Sequence, residues 1–246
     1  MFETILIRRG QPRFLEAHLA RLARGLAALA IQFMDLSPLR ADIASAAALA
    51  PALAILKIIV TRGSAVHRGY APPVEVRARR IVSLWATQPI DIVEQGVILR
   101  VARLRVPEPS PFAGIKHLNR LENVLAAAEG QGGMSFEALL LDTQDGLVSG
   151  TSSNVFVVNS GEIRTPPTDR AGVAGVMRAI VLREAPRLGI TARQQPLTLD
   201  DVYGADEVFI TNARIGVVPV QRVREHAFTM FDLALKLRRH IEALDA

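Results

Sequence analysis

The stretch "PFAGIKHLNRLENVLAAAEG", residues 111–130, decides how the rest of the chain is read. It overlaps "PEPSPFAG" (107–114), whose three prolines and one glycine interrupt any regular element and mark an interdomain linker. From about Ile115 to Glu129 the apolar spacing predicts a helix. Lys116 stands at that joint, and lysine is scarce: Lys57, Lys116 and Lys236 are the only three among 29 basic residues. Arginine keeps its proton, whereas burial or the positive end of a helix can strip one from a lysine amine. A neutral amine is what Schiff-base formation with a carbonyl requires. Position alone leaves Lys116 open between that role and a solvated charge at a helix start. Lys57, in an apolar strand pattern, and Lys236, on a basic terminal helix, both read as structural.

Working outward, residues 1–106 read as a smaller α+β domain and 115–246 as a larger one, with 107–114 as the linker. "FETILIRR" (2–9) alternates as a strand does, and Leu15, Leu19, Leu22, Leu26 and Leu29 recur at helical spacing. Ser37-Pro38 opens a second helix with proline in its first turn. "AILKIIVTRG" (54–63), "VEVRARRIVSLW" (74–85) and "GVILRVARLRV" (96–106) predict strands of the smaller domain. Beyond the linker, strands are expected over 137–143, 147–151, 154–159, 162–166 and 207–213, with helices over 176–189 and 228–244. The glycines of "RAGVAGVMRAI" precede the first of these helices. Backbone amides at such a start, approached closely where glycine lacks a side chain, can hold a phosphate.

Composition narrows the function. No run of 18 or more uncharged apolar residues reads as a membrane span, and no targeting peptide is legible at the N-terminus. There is no cysteine, which removes disulfides, thiolate metal sites and cysteine nucleophiles and fits a cytoplasmic protein. The five histidines are scattered without metal-ligand spacing, so no metal site is expected. The net charge of +5 comes from dispersed arginines with few aromatics and no nucleic-acid-binding motif, which reads as a solvated basic surface.

Four segments, "GIKHLNRLENVLAAAE" (114–129), "EALLLDTQDGLVSGTSSNVFVV" (137–158), "AGVAGVMR" (171–178) and "FITNARIGVVPV" (209–220), occur in the order found in fold-type IV pyridoxal-phosphate enzymes, and the resemblance spans essentially the whole chain. That group includes the branched-chain and D-amino-acid aminotransferases and aminodeoxychorismate lyase. "GIKHLNRLE", "IVTRGSAVHRGY" (59–70) and Asn212-Ala213, in place of the Gly-Thr usual in branched-chain aminotransferases, look lyase-like. The resemblance implies an α+β, two-domain, D-amino-acid aminotransferase-like architecture, with the larger domain binding the cofactor. It implies that Lys116 holds pyridoxal 5'-phosphate as a Schiff base between the domains. Arg21, Gly175 with the amides of Val176 and Met177, and Asn212 with Ala213 would then bind the phosphate. Substrate binding would draw on Arg62, Arg68 and Arg214, arginines in the lyase-like segments, and a homodimer would close the site.

Two departures qualify that reading. Ser149 stands five residues before Asn154, where these enzymes commonly carry a glutamate that pairs with the pyridine nitrogen. A hydroxyl tolerates a neutral ring, which suits an elimination driven by aromatisation better than it suits transamination. The opening strand and "GDG"-type turn usual in the group do not precede "FETILIRR", so a neighbouring sheet edge and part of the site wall are expected to lie open. The expected reaction converts 4-amino-4-deoxychorismate into 4-aminobenzoate and pyruvate, toward folate. A D-amino-acid or branched-chain aminotransferase, and a truncated non-catalytic homologue, stand as alternatives.

Overall fold

The structure is a computed structural model, and it describes residues 1–32, 35–64, 69–72, 76–89 and 95–244. The chain divides into two units, Met1–Pro89 with Lys116–Leu118, and Ile90–Ile115 with Asn119–Ala246.

The first unit contains β1 (Phe2–Arg8), β2 (Gln11–Pro12), α1 (Leu15–Ala28), α2 (Ser37–Ala48), β3 (Leu53–Thr61) and β4 (Arg79–Ala86). The strands form an antiparallel sheet in the order β2-β1-β3-β4. The period of two along β1 sorts its side chains by face. Glu3, Ile5 and Ile7 lie opposite Ile58, Leu56 and Ala54, and all six are fully buried. Leu19, Leu22 and Leu26 of α1 are buried as well, the stripe that their spacing predicts. Phe2 and Thr4, opposite Ile59 and Lys57, belong to the other face of the sheet, which is only partly covered.

The second unit contains β5 (Val97–Val106), α3 (Leu121–Ala128), β6 (Glu137–Asp142), β7 (Leu147–Gly150), β8 (Asn154–Asn159), β9 (Glu162–Thr165), α4 (Val176–Glu184), β10 (Ala192–Gln194), α5 (Leu199–Tyr203), β11 (Glu207–Asn212), β12 (Gly216–Val223), β13 (His226–Ala227) and α6 (Asp232–Ala243). Its sheet runs β10-β9-β8-β11-β12-β5-β6-β7, with β13 paired to β12. Val97, Leu99, Leu139, Val155, Val157, Ile210 and Val218 form the core on one face of this sheet. On the other face Phe156 and Phe209 stack at 4.7 Å.

Two boundaries differ from the sequence reading. β5, expected in the smaller domain, lies parallel between β12 and β6, so the units part at Pro89 rather than at Val106. Parallel partners are far apart in sequence, and local patterning does not reveal them. The proline-rich segment 107–114 is likewise part of the second unit. Ser110 N–H donates to Arg170 O at 2.8 Å, Gly114 N–H to Gly172 O at 3.0 Å and Ala174 N–H to Gly114 O at 3.1 Å.

Candidate active site

Lys116 does not begin a helix. The Arg120 side chain donates to Ile115 O, Gly114 bridges to Val173, and α3 starts only at Leu121. A helix dipole acts within its first turn, so the helix-terminus effect expected on the Lys116 amine is not available. Lys116 O accepts from Phe2 N–H at 3.1 Å, and Lys116 Nζ sits 4.3 Å from the centroid of the Phe2 ring. This short return segment thus joins the first unit through the opening residues of β1.

On the opposite face of β1, Glu3 is fully buried and takes hydrogen bonds from two residues of α1. His18 and Arg21 are three apart and so share a helix face. His18 Nδ1 lies 2.7 Å from Glu3 Oε2, and Arg21 donates from Nε to Glu3 Oε1 at 2.8 Å and from Nη2 to Oε2. Burial pushes the Glu3 carboxyl up, but the hydrogen bonds from His18 and Arg21 outweigh it and hold Glu3 below its ordinary value. Burial lowers His18, and the charges of Arg21 and Lys116 add to that against the pull of Glu3. A neutral His18 with its proton on Nδ1 satisfies this arrangement. Glu3 therefore fixes the Arg21 guanidinium in place, a contact the sequence reading of Arg21 did not include.

In the second unit, α4 begins at Gly175, whose backbone is extended (φ −66°, ψ 140°) and which caps the helix without a side chain. Helix geometry leaves the first amides, those of Val176 and Met177 among them, without intrahelical acceptors. A Cβ at Gly175 would collide with Asn154 Oδ1, while Asn154 Nδ2 donates to Val173 O at 2.9 Å. Thr211 pairs with Asn154 across β11 and β8 and so shares its face of the sheet. Its hydroxyl is wholly buried and has no hydrogen-bond partner among the described residues. The helix start is thus a close-approach cradle, with an unused buried hydroxyl on the strand pair beside it.

The other sequence-derived residues fare unevenly. Asn212 Oδ1 accepts from the amides of Arg214 and Ile215, both at 2.9 Å, and its Nδ2 donates to Ser152 O at 3.3 Å. The carboxamide is committed to the turn, which leaves the backbone of Asn212 and Ala213 for any phosphate. Ser149 is buried, and its hydroxyl donates to Gly150 O at 2.9 Å, with its lone pairs still able to accept. Arg62 has partners of its own: its two terminal nitrogens donate to Ala30 O and Leu29 O, both at 2.6 Å, and cap the C-terminal end of α1. Arg214 is exposed, and Arg68 lies outside the described residues.

The sequence reading passed over Glu137. It is buried beside Gly150, takes hydrogen bonds from the Ser152 and Ser153 hydroxyls, and burial raises its carboxyl above the ordinary range. A glutamate opening a strand gives no local sign of this in sequence. Among the described residues no acidic or histidine cluster could hold a metal, and no helix is long and apolar enough to cross a membrane.

The chain is similar to the aminodeoxychorismate lyase of Vibrio harveyi, 35% identical over 224 residues, or 90% of this chain and 82% of that protein. The crystal structure of 4-amino-4-deoxychorismate lyase from Pseudomonas aeruginosa matches with a TM-score of 0.92 at 40% identity, covering 99% of this chain and 90% of that one. The branched-chain amino acid aminotransferase of Escherichia coli shares the fold, with a TM-score of 0.87 over 99% of this chain and 84% of that one at 21% identity. The family model for amino-transferase class IV matches residues 1–223, and the chain belongs to that family.

Proposed function

We propose that this chain is a pyridoxal-phosphate-dependent lyase that converts 4-amino-4-deoxychorismate into 4-aminobenzoate and pyruvate. The observation that carries the reading is the 40% identity, over 99% of this chain, to a lyase of that name. The residues present fit the cofactor. The Gly175 cradle and its open amides suit a phosphate, Arg21 is held by Glu3, and Lys116 supplies a primary amine. The Gly114–Val173 bridge ties the chain two residues before Lys116 to the chain two residues before Gly175.

Pyridoxal phosphate bound there supplies an electron sink for the ring carbon that carries the substrate nitrogen. Lys116 Nζ takes the proton from that carbon and, as its conjugate acid, returns one to the departing enolpyruvyl group. One proton leaves the ring and one arrives on pyruvate, so the conversion balances without water or a redox partner. Ser149 offers the ring nitrogen a neutral hydroxyl, which suits a reaction that aromatisation already drives forward. The proposal includes a homodimer, supported by the half-exposed Leu121, Val124 and Leu125 on α3, and a cytoplasmic location.

The test supplies enzymatically made aminodeoxychorismate to the holoenzyme and follows 4-aminobenzoate, with Lys116→Ala alongside. Product from the wild type and none above background from the variant is the expected result. Equal product from both would sink the lysine assignment. Borohydride reduction and peptide mapping should place the cofactor on Lys116, and a label on Lys57 or Lys236 would contradict it. Amino-group transfer from an amino acid to a keto acid, with no 4-aminobenzoate formed, would favour an aminotransferase.

A further inference from the structure

The turn between β7 and β8, residues 150–153, is pinned from three elements of the second unit. Across the turn, Gly150 N–H donates to Ser153 O at 2.9 Å. From β6, Ala138 O accepts from Thr151 N–H at 2.9 Å. Asn123 of α3 donates from Nδ2 to Thr151 O at 2.9 Å, and Asn212 at the end of β11 donates to Ser152 O at 3.3 Å. Glu137 of β6 holds the side chains: its Oε2 accepts from the Ser152 hydroxyl at 2.6 Å and its Oε1 from the Ser153 hydroxyl. Gly150 lies so close to this carboxyl that a Cβ would collide with Glu137 Oε1 and Ser153 Oγ. The turn carries Ser149 at one end and Asn154 at the other. Ser149, the hydroxyl proposed for the ring nitrogen, donates to Gly150 O at 2.9 Å, and Asn154 packs against Gly175 at the start of α4.

Stability does not explain this carboxyl. Among the buried carboxyls, Glu3 faces Arg21 and Glu184 faces Arg183, Arg187 and His240, while Asp142 and Glu207 take backbone amides. Glu137 is met by Ser152 and Ser153 alone, with no cation paired to it among the described residues. A carboxyl buried in this way is costly, and an apolar side chain of equal size would fill the space at lower cost. What the carboxyl adds is fixed geometry. Its two oxygens hold two successive hydroxyls and so set the path of the backbone that carries them. The Gly150 peptide is thereby oriented, and Gly150 O in turn directs the Ser149 hydroxyl, whose lone pairs can still accept. We infer that Glu137 is a positioning residue for the cofactor ring, acting through the 150–153 turn to keep the Ser149 hydroxyl aimed at the ring nitrogen. The inference rests on the pyridoxal-phosphate reading. It gives Glu137 no contact with substrate or cofactor and no part in proton transfer.

The test compares the wild-type holoenzyme with Glu137→Met, Glu137→Gln, Ser149→Ala and the Glu137→Met/Ser149→Ala double variant. Glu137→Met keeps the bulk and loses both acceptors, and its apoenzyme should unfold within a few degrees of the wild type. Its bound cofactor should nevertheless take on the absorption spectrum seen in Ser149→Ala. Pyridoxal phosphate should bind both single variants roughly tenfold more weakly than the wild type, as for one lost hydrogen bond. The double variant should bind it no more weakly than Ser149→Ala, because both changes remove the same contact. Glu137→Gln, whose amide can accept from one serine and donate to the other, should recover most of the affinity. A double variant weakened by the product of the single effects, about a hundredfold, would overturn the inference. So would a Glu137→Met holoenzyme with the wild-type spectrum and affinity. If Glu137→Met does not fold, Ser152→Ala with Ser153→Ala takes its place in the same comparison, with the same deciding outcomes. A wild type that binds the cofactor but forms no 4-aminobenzoate would overturn the lyase reading, while the spectra and affinities still decide the inference. A wild type that binds no cofactor would overturn both.

Discussion

Glu3 is the residue on which the first unit's response to acid turns. Its carboxyl is held below the ordinary value of 4.5, and His18 below its ordinary 6.5. Each group therefore binds protons more readily in the unfolded chain than in the folded one. The stability each contributes is complete above its unfolded value and is lost as pH falls, first through the histidine range and then through the carboxylate range. Urea unfolding of the first unit should accordingly show a midpoint that drops steadily as pH is lowered from about 7 to about 4. Glu3→Gln removes the charge that compensates a buried Arg21, and should cost about 3 kcal/mol near neutral pH. The variant should also lose the carboxylate-range part of the pH profile, because the titrating group is gone, while His18, without the charge that raises it, keeps or steepens the histidine-range part. A variant that kept both the wild-type midpoint and its acid slope would show that the triad is not what acid disrupts. Because Glu3 also orients Arg21, the same variant should bind pyridoxal phosphate more weakly, which fluorescence titration of the apoenzyme would measure.

At the scale of elements, the start of α4 makes the sharpest demand on sequence. Gly175→Ala drives a methyl group into Asn154 Oδ1, and Asn154 is the residue that anchors Val173. Overpacking of this kind costs about 1–3 kcal/mol, and the displaced turn should loosen the amides proposed to hold the phosphate. Thermal unfolding of the apoenzyme and a cofactor titration would register the two effects separately, and an unchanged cofactor affinity would separate this glycine from phosphate binding. Such a position was legible from sequence because glycine before an apolar helix is a local signal. β1, α1 and β3 were legible for the same reason: their burial periods of two and 3.6 are written in adjacent residues. β12 was not, since Pro219 argues against a central strand. The structure admits it because pairing with β5 begins only at Val220, opposite Val97, so the ladder on that side asks no N–H of the proline. The contact of Lys57 with the Phe2 ring was not legible for a related reason: within its own strand Lys57 looks like one polar interruption, and only the cross-strand register puts it beside the ring that Lys116 also approaches.

For the molecule as a whole, the open question in the sequence is which apolar surface another copy covers. Periodicity shows that a helix has an apolar stripe but not what lies against it. On α3, Ala126 is buried, while Leu121 and Val124 remain 60% exposed and Leu125 50% exposed. Residues 121, 124 and 125 share one helix face by their three- and four-residue spacing. A contiguous apolar face of this kind is unusual on a monomer and marks an association site. A second copy is the occupant the proposed function calls for, and a standard interface needs about 800 Å² from each partner. The wild-type chain should therefore sediment as a dimer at micromolar concentration. Replacing Leu121 and Val124 together with glutamate should yield a monomer with an unchanged far-ultraviolet circular dichroism spectrum, since neither side chain supports the core of its own chain. Lyase turnover should fall with the dimer if the partner completes the site. A wild type that sediments as a monomer across that range would remove α3 as a dimer contact, and the double variant would then match it in both mass and activity.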